Sequence, residues 1–468
     1  MLKFFKKVGF IMFSCFKDKA FFNRFLKISL PVMLSGFVTF LVSFLDNIMV
    51  GTVSNEAVSG VYAANQVTYL YNLAIFGLIE GAGVYIQQYA GRNDNKHIKD
   101  CFRFKLILTI IFLLIIIPII YFFGHYIIYM YSKSDSNRDI IIKEGVDYLK
   151  IVLFSYIPFS LGYIYSTTYR EMGLTKYAMY SSIVALVTNT VLNMVFILGF
   201  KQGACGAAYA TLISRIVEMM FLYVISKIKK LKFANEIFKN FHFEKGFVKK
   251  VMKKSYLLFI NEIGFALGNM LQSLAFSQRD GVLSAISVLT TVSNIIMILI
   301  QGLSVGIGVI VGQDLGQGDF NKAWDDNKKL NQLGIYLSLF TGLILIATSF
   351  VLPNIFKEIS IDQKSLATKL IIIYGALLVA NCLSINFYYT LKAGGRTIET
   401  LILDTGFMIL VYVPVSWILA KNTDLHIIYI FLIVRLLDIL KALLGYILIR
   451  KKKWLTNLTI EKGLSNEI

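Results

Sequence analysis

Twelve long runs of apolar residues constrain this chain more than any other feature of its sequence. They lie near 28–50, 60–88, 105–126, 146–168, 178–200, 207–227, 254–276, 285–312, 331–352, 369–391, 401–420 and 425–449. A helix needs about 20 apolar residues to cross the hydrocarbon core of a bilayer, and each run has that length. Since only helices and closed barrels can span a bilayer, the sequence predicts an all-α polytopic membrane protein with twelve transmembrane helices.

The composition supports this class and excludes soluble and disordered proteins. Of the 468 residues, 56% are hydrophobic and 16% are charged, and the mean hydropathy is +0.66. Soluble domains carry roughly 25% charged residues. Disordered chains combine low hydrophobicity with high net charge, which is the opposite of this composition.

The basic residues indicate the orientation of the chain. The net charge is +19, but Lys and Arg collect at the ends of the apolar runs, which favours a membrane topology signal over a nucleic-acid partner. With a cytoplasmic N-terminus, 34 of the 47 basic residues are cytoplasmic, 10 are external and 3 lie within spans. We therefore expect a multi-pass protein of the cell membrane with both termini in the cytoplasm. The short loops favour a bacterial inner membrane.

One polar, basic connection divides the twelve spans into six plus six. We predict a basic interfacial segment at residues 1–27, an N-terminal lobe at 28–227 and a cytoplasmic linker at 228–253. A C-terminal lobe at 254–449 and a cytoplasmic tail at 450–468 complete the chain.

The two halves resemble each other in sequence. The stretch 83–94 aligns with 308–319 at an offset of 225, with five of twelve positions identical, and 170–175 aligns with 392–397 at an offset of 222. Because each half holds an even number of spans, both insert in the same direction, and the repeat is parallel. Two such lobes can enclose a central cavity and rock around it, which indicates a transporter.

Two acids within the spans stand out as candidate functional residues. Ionisable groups are costly in a bilayer and are rare there. Asp46 in span one and Glu262 in span seven have no basic residue three or four positions away on their own helix. An unpaired carboxylate in a low dielectric can exchange a proton, hold Na⁺ or attract an organic cation. The alternative for both is a hydrogen-bonded structural acid.

Two sets of intramembrane charges have a structural explanation instead. Arg215 and Glu218 are three residues apart in span six, and Asp438 is three residues from both Arg435 and Lys441 in span twelve. Side chains at this spacing share a helix face, so opposite charges can pair. We therefore predict ion pairs within these two helices.

Polar residues of the N-terminal half cluster at the depth of Asp46. Asn189 and Asn193 share a face of span five, and the span directions place Asn193 and Thr211 in the outer half together with Asp46. These groups can coordinate a small cation such as Na⁺ or form a network that responds to protonation; polar packing between helices is the alternative. Pro31 is a candidate hinge in span one, or a proline tolerated near a helix start.

The C-terminal half offers further polar side chains. The residues of spans seven and ten that could line a substrate cavity beside Glu262 are Asn261, Asn381, Ser384 and Tyr388. Asp404 lies close to the cytoplasmic end of span eleven, where a carboxylate is typical of a helix cap.

The order and spacing of these features resemble the multidrug and toxic compound extrusion (MATE) family over roughly residues 25–450. The similar pieces are Pro31 with Asp46, the ends of spans two and eight (88–91 and 313–316), the stretch 203–211 and Asn261 with Glu262. The resemblance implies the MATE branch of the multidrug/oligosaccharidyl-lipid/polysaccharide flippase architecture. It also implies a secondary antiporter that exports drug-like, often cationic, organic molecules in exchange for H⁺ or Na⁺. We expect a monomer without a further cofactor.

The resemblance also implies where the coupling ion binds. The family's N-lobe site uses an acid in span one, an Asn and an acid four apart in span five and a Thr in span six, which fall on Asp46, Asn189, Asn193 and Thr211. Here Asn193 replaces the second acid, which favours H⁺ over Na⁺. In other members a C-lobe site pairs acids of spans seven and ten; Glu262 is present, but span ten has no acid.

Two other classes of function are less compatible with the sequence. A flippase for a lipid-linked oligosaccharide needs a strongly cationic cavity, whereas three basic residues lie within spans. A membrane-embedded enzyme needs a catalytic or metal motif, and the chain has no HExxH, GxSxG or Walker A sequence. Its four cysteines lack zinc or CxxC spacing.

Cysteine labelling tests the predicted orientation. In a variant with the native cysteines replaced by serine, we expect a membrane-impermeant maleimide to label Lys201→Cys in intact cells, because the loop after span five is external. Lys245→Cys in the central linker should react only after the membrane is permeabilised. The reverse labelling pattern would contradict the orientation.

Overall fold

The computed structural model describes residues 14–131, 137–235, 237–239, 241–279, 282–356 and 359–460. Within these ranges the chain is helical and contains no β-strand, which confirms the predicted class. A short helix, Ser14–Lys17, precedes twelve long ones, which correspond to spans one to twelve: α1 Lys19–Gly51, α2 Asn55–Gly91, α3 Asn95–Tyr131, α4 Arg138–Glu171, α5 Thr175–Gly199, α6 Gly203–Ile228, α7 Phe247–Phe276, α8 Val282–Gln317, α9 Phe320–Thr348, α10 Ile361–Ala393, α11 Thr397–Asn422 and α12 Ile427–Arg450.

Ten of these helices are long and apolar enough to cross a membrane by length and composition. The other two differ in composition: α4 is more polar, and α12 is strongly apolar but carries more charged residues. Tyr, Ser and Thr residues are frequent along α4, and three charged residues lie in the middle of α12. Both helices still pack among the ten, with α4 against α2 and α6 and with α12 against α10.

The repeated sequence stretches form equivalent tight turns. Asn93 and Gly318, which correspond at the offset of 225, both have a left-handed backbone, with φ of 59° and 82°. Gly173 and Gly395 correspond at the offset of 222 and have φ of 77° and 69°. A left-handed residue reverses the chain directly after a helix, and Gly and Asn adopt this conformation most readily. The repeat therefore preserves the turns that join α2 to α3, α8 to α9, α4 to α5 and α10 to α11.

The chain forms two compact units whose borders lie inside helices. The N-terminal unit comprises Leu34–Phe259. The C-terminal unit consists of two segments, the described residues up to Met33 and those from Ile260 onward. The two borders fall in α1 and α7 and are 226 residues apart (259 − 33), which is close to the repeat offset. The sequence analysis predicted that the lobes start at residues 28 and 254. Each predicted start lies six residues before the residue at which the corresponding segment begins, Leu34 or Ile260 (34 − 28 and 260 − 254).

The described part of the predicted interfacial segment packs into the C-terminal unit. Phe21 and Phe25 are buried there at 5% and 6% exposure, together with residues of α8 and α9. Asp18 accepts a hydrogen bond from Phe21 N at 3.0 Å and caps α1. The Lys329 ammonium bonds Asp18 at 2.8 Å and holds the pKa of that carboxyl below its usual range. Residues 1–13 lie outside the described ranges.

The described part of the predicted tail is also packed. Trp454 is fully buried, and its indole N–H donates to Ile449 O at 3.0 Å. The side chain of Asn457 donates to Gly316 O at 3.1 Å, at the end of α8. An amphipathic indole is stabilised where its ring is covered and its N–H is bonded. Residues 461–468 lie outside the described ranges.

The central linker packs against α3 in the N-terminal unit. The guanidinium of Arg103 donates to Ile237 O at 2.6 Å and Lys239 O at 2.7 Å. Glu244 forms a salt bridge of 2.8 Å with Lys96, and this ammonium holds the pKa of Glu244 below its usual range. Two hydrogen bonds and one salt bridge therefore hold the described part of the linker against α3.

Close helix approach supplies a stability prediction. A Cβ atom added at Gly60 in α2 would lie 2.7 Å from Gly145 N and Ile141 O in α4, whereas nothing lies within 4 Å of one at Gly51. We expect Gly60→Ala to lower the Tm of the purified protein in detergent, because overpacking of a close contact costs about 1–3 kcal/mol. Gly51→Ala is the matched control and should leave the Tm unchanged. Equal Tm values for the two variants would contradict the close approach of α2 and α4 at Gly60.

Candidate functional site

Three of the four residues predicted for the N-terminal cluster lie together. The side-chain amide of Asn193 donates hydrogen bonds to the Asp46 carboxylate and to Asn189 Oδ1, the second at 3.2 Å. Asn189 and Asn193 are 1% and 0% exposed. Helix α1 supplies the acid and one face of α5 supplies both amides, as the four-residue spacing predicted. The roles of these residues stay predictions.

Two polar atoms of this cluster are buried without a hydrogen-bond partner in the described chain. They are the carbonyl oxygen of Asn193 and the amide nitrogen of Asn189. An amide carries both a donor and an acceptor, so rotating it by half a turn exchanges the two. With Asp46 ionised, the Asn193 nitrogen faces the carboxylate; with Asp46 protonated, the rotated Asn193 oxygen can accept the carboxyl proton. The cluster can therefore satisfy both protonation states of Asp46.

Thr211 lies at the edge of this cluster. In the part of the chain that the structure describes, it makes no hydrogen bond to Asp46 or to the two asparagines. The Tyr148 hydroxyl lies near its side chain and donates to Asn65 Oδ1 at 3.5 Å. The sequence analysis missed Tyr148, because nothing in the sequence distinguishes it from the other tyrosines of α4.

The predicted Arg215–Glu218 pair is present in α6, with a distance of 2.8 Å between Nη1 and Oε2. Its guanidinium also lies 5.1 Å from the centre of the Phe159 ring. The positive charge of Arg215 is within electrostatic range of Asp46. With two carboxylates and one guanidinium, the ionised cluster carries a net charge of −1.

A second hydrogen-bonded network connects Glu262 to Asp404 in the C-terminal unit. The Tyr388 hydroxyl donates to Glu262 Oε1 at 3.3 Å. The amide of Asn261 donates to Tyr388 Oη at 3.4 Å and to Asp404 Oδ2 at 3.2 Å. Thr405 donates to Asn261 Oδ1 at 3.0 Å and completes the bonding of that amide. The structure thus brings Glu262, Asn261 and Tyr388 together, as predicted, and adds an acid from α11.

Two structural explanations of these charges were wrong. Asp404 does not cap its helix, because α11 begins at Thr397 after the N-cap residue Arg396. Lys441 does not pair with Asp438; its ammonium instead bonds Asp404 Oδ1 at 2.8 Å. The spacing rule identifies partners on one helix, and here the partner lies on the neighbouring helix. Only the Arg435–Asp438 pair is present, at 3.7 Å.

The remaining predicted cavity residues are Ser384 and Asn381, and their role stays a prediction. Ser384 is 2% exposed and its hydroxyl bonds Ala380 O at 2.9 Å on its own helix. Asn381 is partly exposed, and its buried carbonyl oxygen has no partner in the described chain. Among the described residues, no three His, Cys, Asp or Glu side chains form a metal-binding group.

Pro31 is inside α1, which begins at Lys19. It is therefore not a proline near a helix start, and it removes one backbone hydrogen bond from the interior of the helix. It lies two residues before Met33, where the first segment of the C-terminal unit ends, and its role as a hinge stays a prediction.

Twelve long helices in a parallel repeat, with carboxylates inside the spans of both halves, are typical of secondary transporters. The MatE family model matches residues 31–195 and 258–418, so the chain belongs to the MatE family of multidrug efflux transporters. The two matches to one model begin 227 residues apart (258 − 31), which confirms the internal repeat.

Curated relatives and solved structures agree with this assignment. The chain is 24% identical to the probable multidrug resistance protein YoeA of Bacillus subtilis, over 80% of this chain and 81% of that protein. It is 22% identical to the probable multidrug resistance protein NorM of Thermotoga maritima, over 86% of each. A multidrug resistance MATE family transporter in an outward-facing conformation superposes with a TM-score of 0.84 at 17% identity, covering 92% of this chain and 95% of that one.

The Asn193–Asp46 contact generates a prediction about ion choice. Asn193→Asp places a second carboxylate in hydrogen-bonding contact with Asp46, and two carboxylates attract a hard cation more strongly than one. We expect NaCl, but not choline chloride, to raise the Tm of this variant in detergent. The control, Asn269→Asp on an exposed face of α7, should show no such difference. Equal responses of the two variants would contradict the expected site.

Proposed function

We propose that this protein is a secondary antiporter that exports organic, drug-like cations in exchange for H⁺. The observation that carries the proposal is the Asp46 carboxylate, which is bonded by the amide of Asn193 and has no salt bridge in the described part of the chain. Such a carboxylate can bind a proton or a cationic substrate in turn. This finer function rests on the MatE family membership together with that site.

Exchange follows from competition for one negative charge. An ionised Asp46 attracts a cationic substrate, and a proton bound from outside removes that attraction, so the substrate leaves. The net charge of −1 in the cluster formed by Asp46, Arg215 and Glu218 supports this role, because one proton or one substrate cation neutralises it. Exchange of one H⁺ for one monovalent cation moves no net charge, so the proton gradient, and not the membrane potential, drives it.

The proton is a better fit to this site than Na⁺. A sodium ion needs several oxygen ligands around it. The amides of this cluster bond one carboxylate, Asp46, and in the described chain Thr211 bonds neither Asp46 nor Asn193. A proton needs only the carboxylate and one acceptor, which the rotated Asn193 amide supplies. We therefore assign H⁺ to Asp46 and keep Glu262 as the second candidate for coupling.

We propose that bending of α1 at Pro31 connects protonation to the change of access. Pro31 lies between the part of α1 in the C-terminal unit and the part that carries Asp46. Two solved MATE structures that resemble this chain, with TM-scores of 0.83 and 0.79, are described as bent and straight conformations. For the substrate contact we propose Asn381, because its carbonyl oxygen is unpartnered, and then Asn261, Ser384 and Tyr388.

Transport by proteoliposomes tests the function. The proton gradient is imposed without Na⁺, with a lower pH inside the proteoliposomes than outside. We expect this gradient to drive accumulation of a fluorescent organic cation by the wild type. Asp46→Asn should abolish this transport, because the amide side chain cannot bind the coupling proton. The readout is the initial rate of fluorescence change under a proton gradient or a sodium gradient alone.

The matched control is Asp424→Asn, which removes an exposed carboxylate after α11 and should retain the wild-type rate. Transport driven by sodium alone and abolished by Glu262→Gln would move coupling to the C-terminal unit. If neither gradient moved an organic cation, the proposal would fail and a flippase for a lipid-linked oligosaccharide would be tested next.

A further inference from the structure

Both carboxylate oxygens of Asp404 accept hydrogen bonds, and one of the two donors is the Lys441 ammonium. The side chains are 10% and 18% exposed, and the ammonium lies 2.8 Å from Asp404 Oδ1. Asn261, which is fully buried, donates to the other oxygen at 3.2 Å. Each oxygen of the Asp404 carboxylate therefore already accepts a hydrogen bond from a donor of the protein.

A second ammonium lies on the Glu262 side of the same network. Lys392 is only 5% exposed, and its Nζ lies 5.1 Å from the centre of the Tyr388 ring and 4.2 Å from that of Tyr389. An ammonium over an aromatic face is attracted by the ring electrons. The hydroxyl of the same Tyr388 bonds Glu262. The network thus contains two carboxylates and two ammonium groups, and its net charge is zero.

The charge of this network differs from that of the N-terminal cluster. Asp46 is bonded by the neutral amide of Asn193, and its cluster has a net charge of −1. Removing one positive charge from the C-terminal network would give it the same value. The charge of Lys441 therefore sets whether the C-terminal network has a negative net charge that would attract a mobile cation.

We infer that Lys441 is a tethered cation that takes the place of an exchangeable one at Asp404 and Glu262. Its ammonium is a compact charge on a flexible stem, and it reaches Asp404 from the neighbouring helix α12. The C-terminal unit then binds no coupling ion, and ion exchange is confined to Asp46. This inference rests on the proposed coupling at Asp46 and adds a residue that sets ion specificity.

Sodium binding to the purified full-length protein tests the inference. Lys441→Met keeps the length of the side chain and removes its charge, which leaves Asp404 with an uncompensated negative charge. We expect this variant to bind radioactive sodium saturably and several-fold above the wild type. Lys441→Arg retains a cation and should bind no more sodium than the wild type.

A double variant separates ion binding from misfolding. An unpaired buried charge is destabilising, whereas loss of both partners is tolerated better. Lys441→Met with Asp404→Asn should therefore fold and lose the sodium binding of the single variant. Sodium binding by the wild type that Asp404→Asn removes, or a folded Lys441→Met variant without binding, would overturn the inference. Because binding is measured without transport, these outcomes do not depend on whether the proposed antiport is correct.

Discussion

The cost of leaving a polar group unpaired in hydrocarbon governs this structure. Backbone groups meet that requirement inside the helices, which is why the described chain is helical throughout its spans. Side chains meet it through pairs such as Arg215–Glu218 within one helix and Lys441–Asp404 between two. The Asp46 carboxylate instead meets it through the neutral amide of Asn193, and it is the residue on which the proposed coupling depends.

The internal repeat preserves backbone geometry rather than chemistry. The left-handed residues Asn93 and Gly318 end equivalent helices, as do Gly173 and Gly395, because the same reversal is needed in both halves. The unit borders in α1 and α7 follow the same spacing. In both halves, the first part of the leading helix therefore belongs to the unit formed by the other half of the chain.

The charged groups of the two halves have diverged within this common frame. In the N-terminal unit, the Asp46 carboxylate is bonded by the neutral amide of Asn193. In the C-terminal unit, Asp404 is bonded by an ammonium that is covalently attached to α12. A mobile counter-ion suits a site that must exchange its cation, whereas an attached one suits a site that must stay neutral. This difference in charge is the basis for proposing ion exchange at Asp46 and not at Asp404.

The sequence by itself determined the class, the twelve helices, the repeat and the residues that share a helix face. Apolar length and side-chain periodicity are local properties, so they were sufficient to group Asn189 with Asn193 and Arg215 with Glu218. Only the tertiary structure decided which partners meet across helices. The Lys441–Asp404 pair, the Tyr148 contact with Thr211 and the burial of Phe21 and Trp454 all depend on how each helix is rotated and crossed. Those angles arise from the packing of the whole unit, and spacing along one helix carries no information about them.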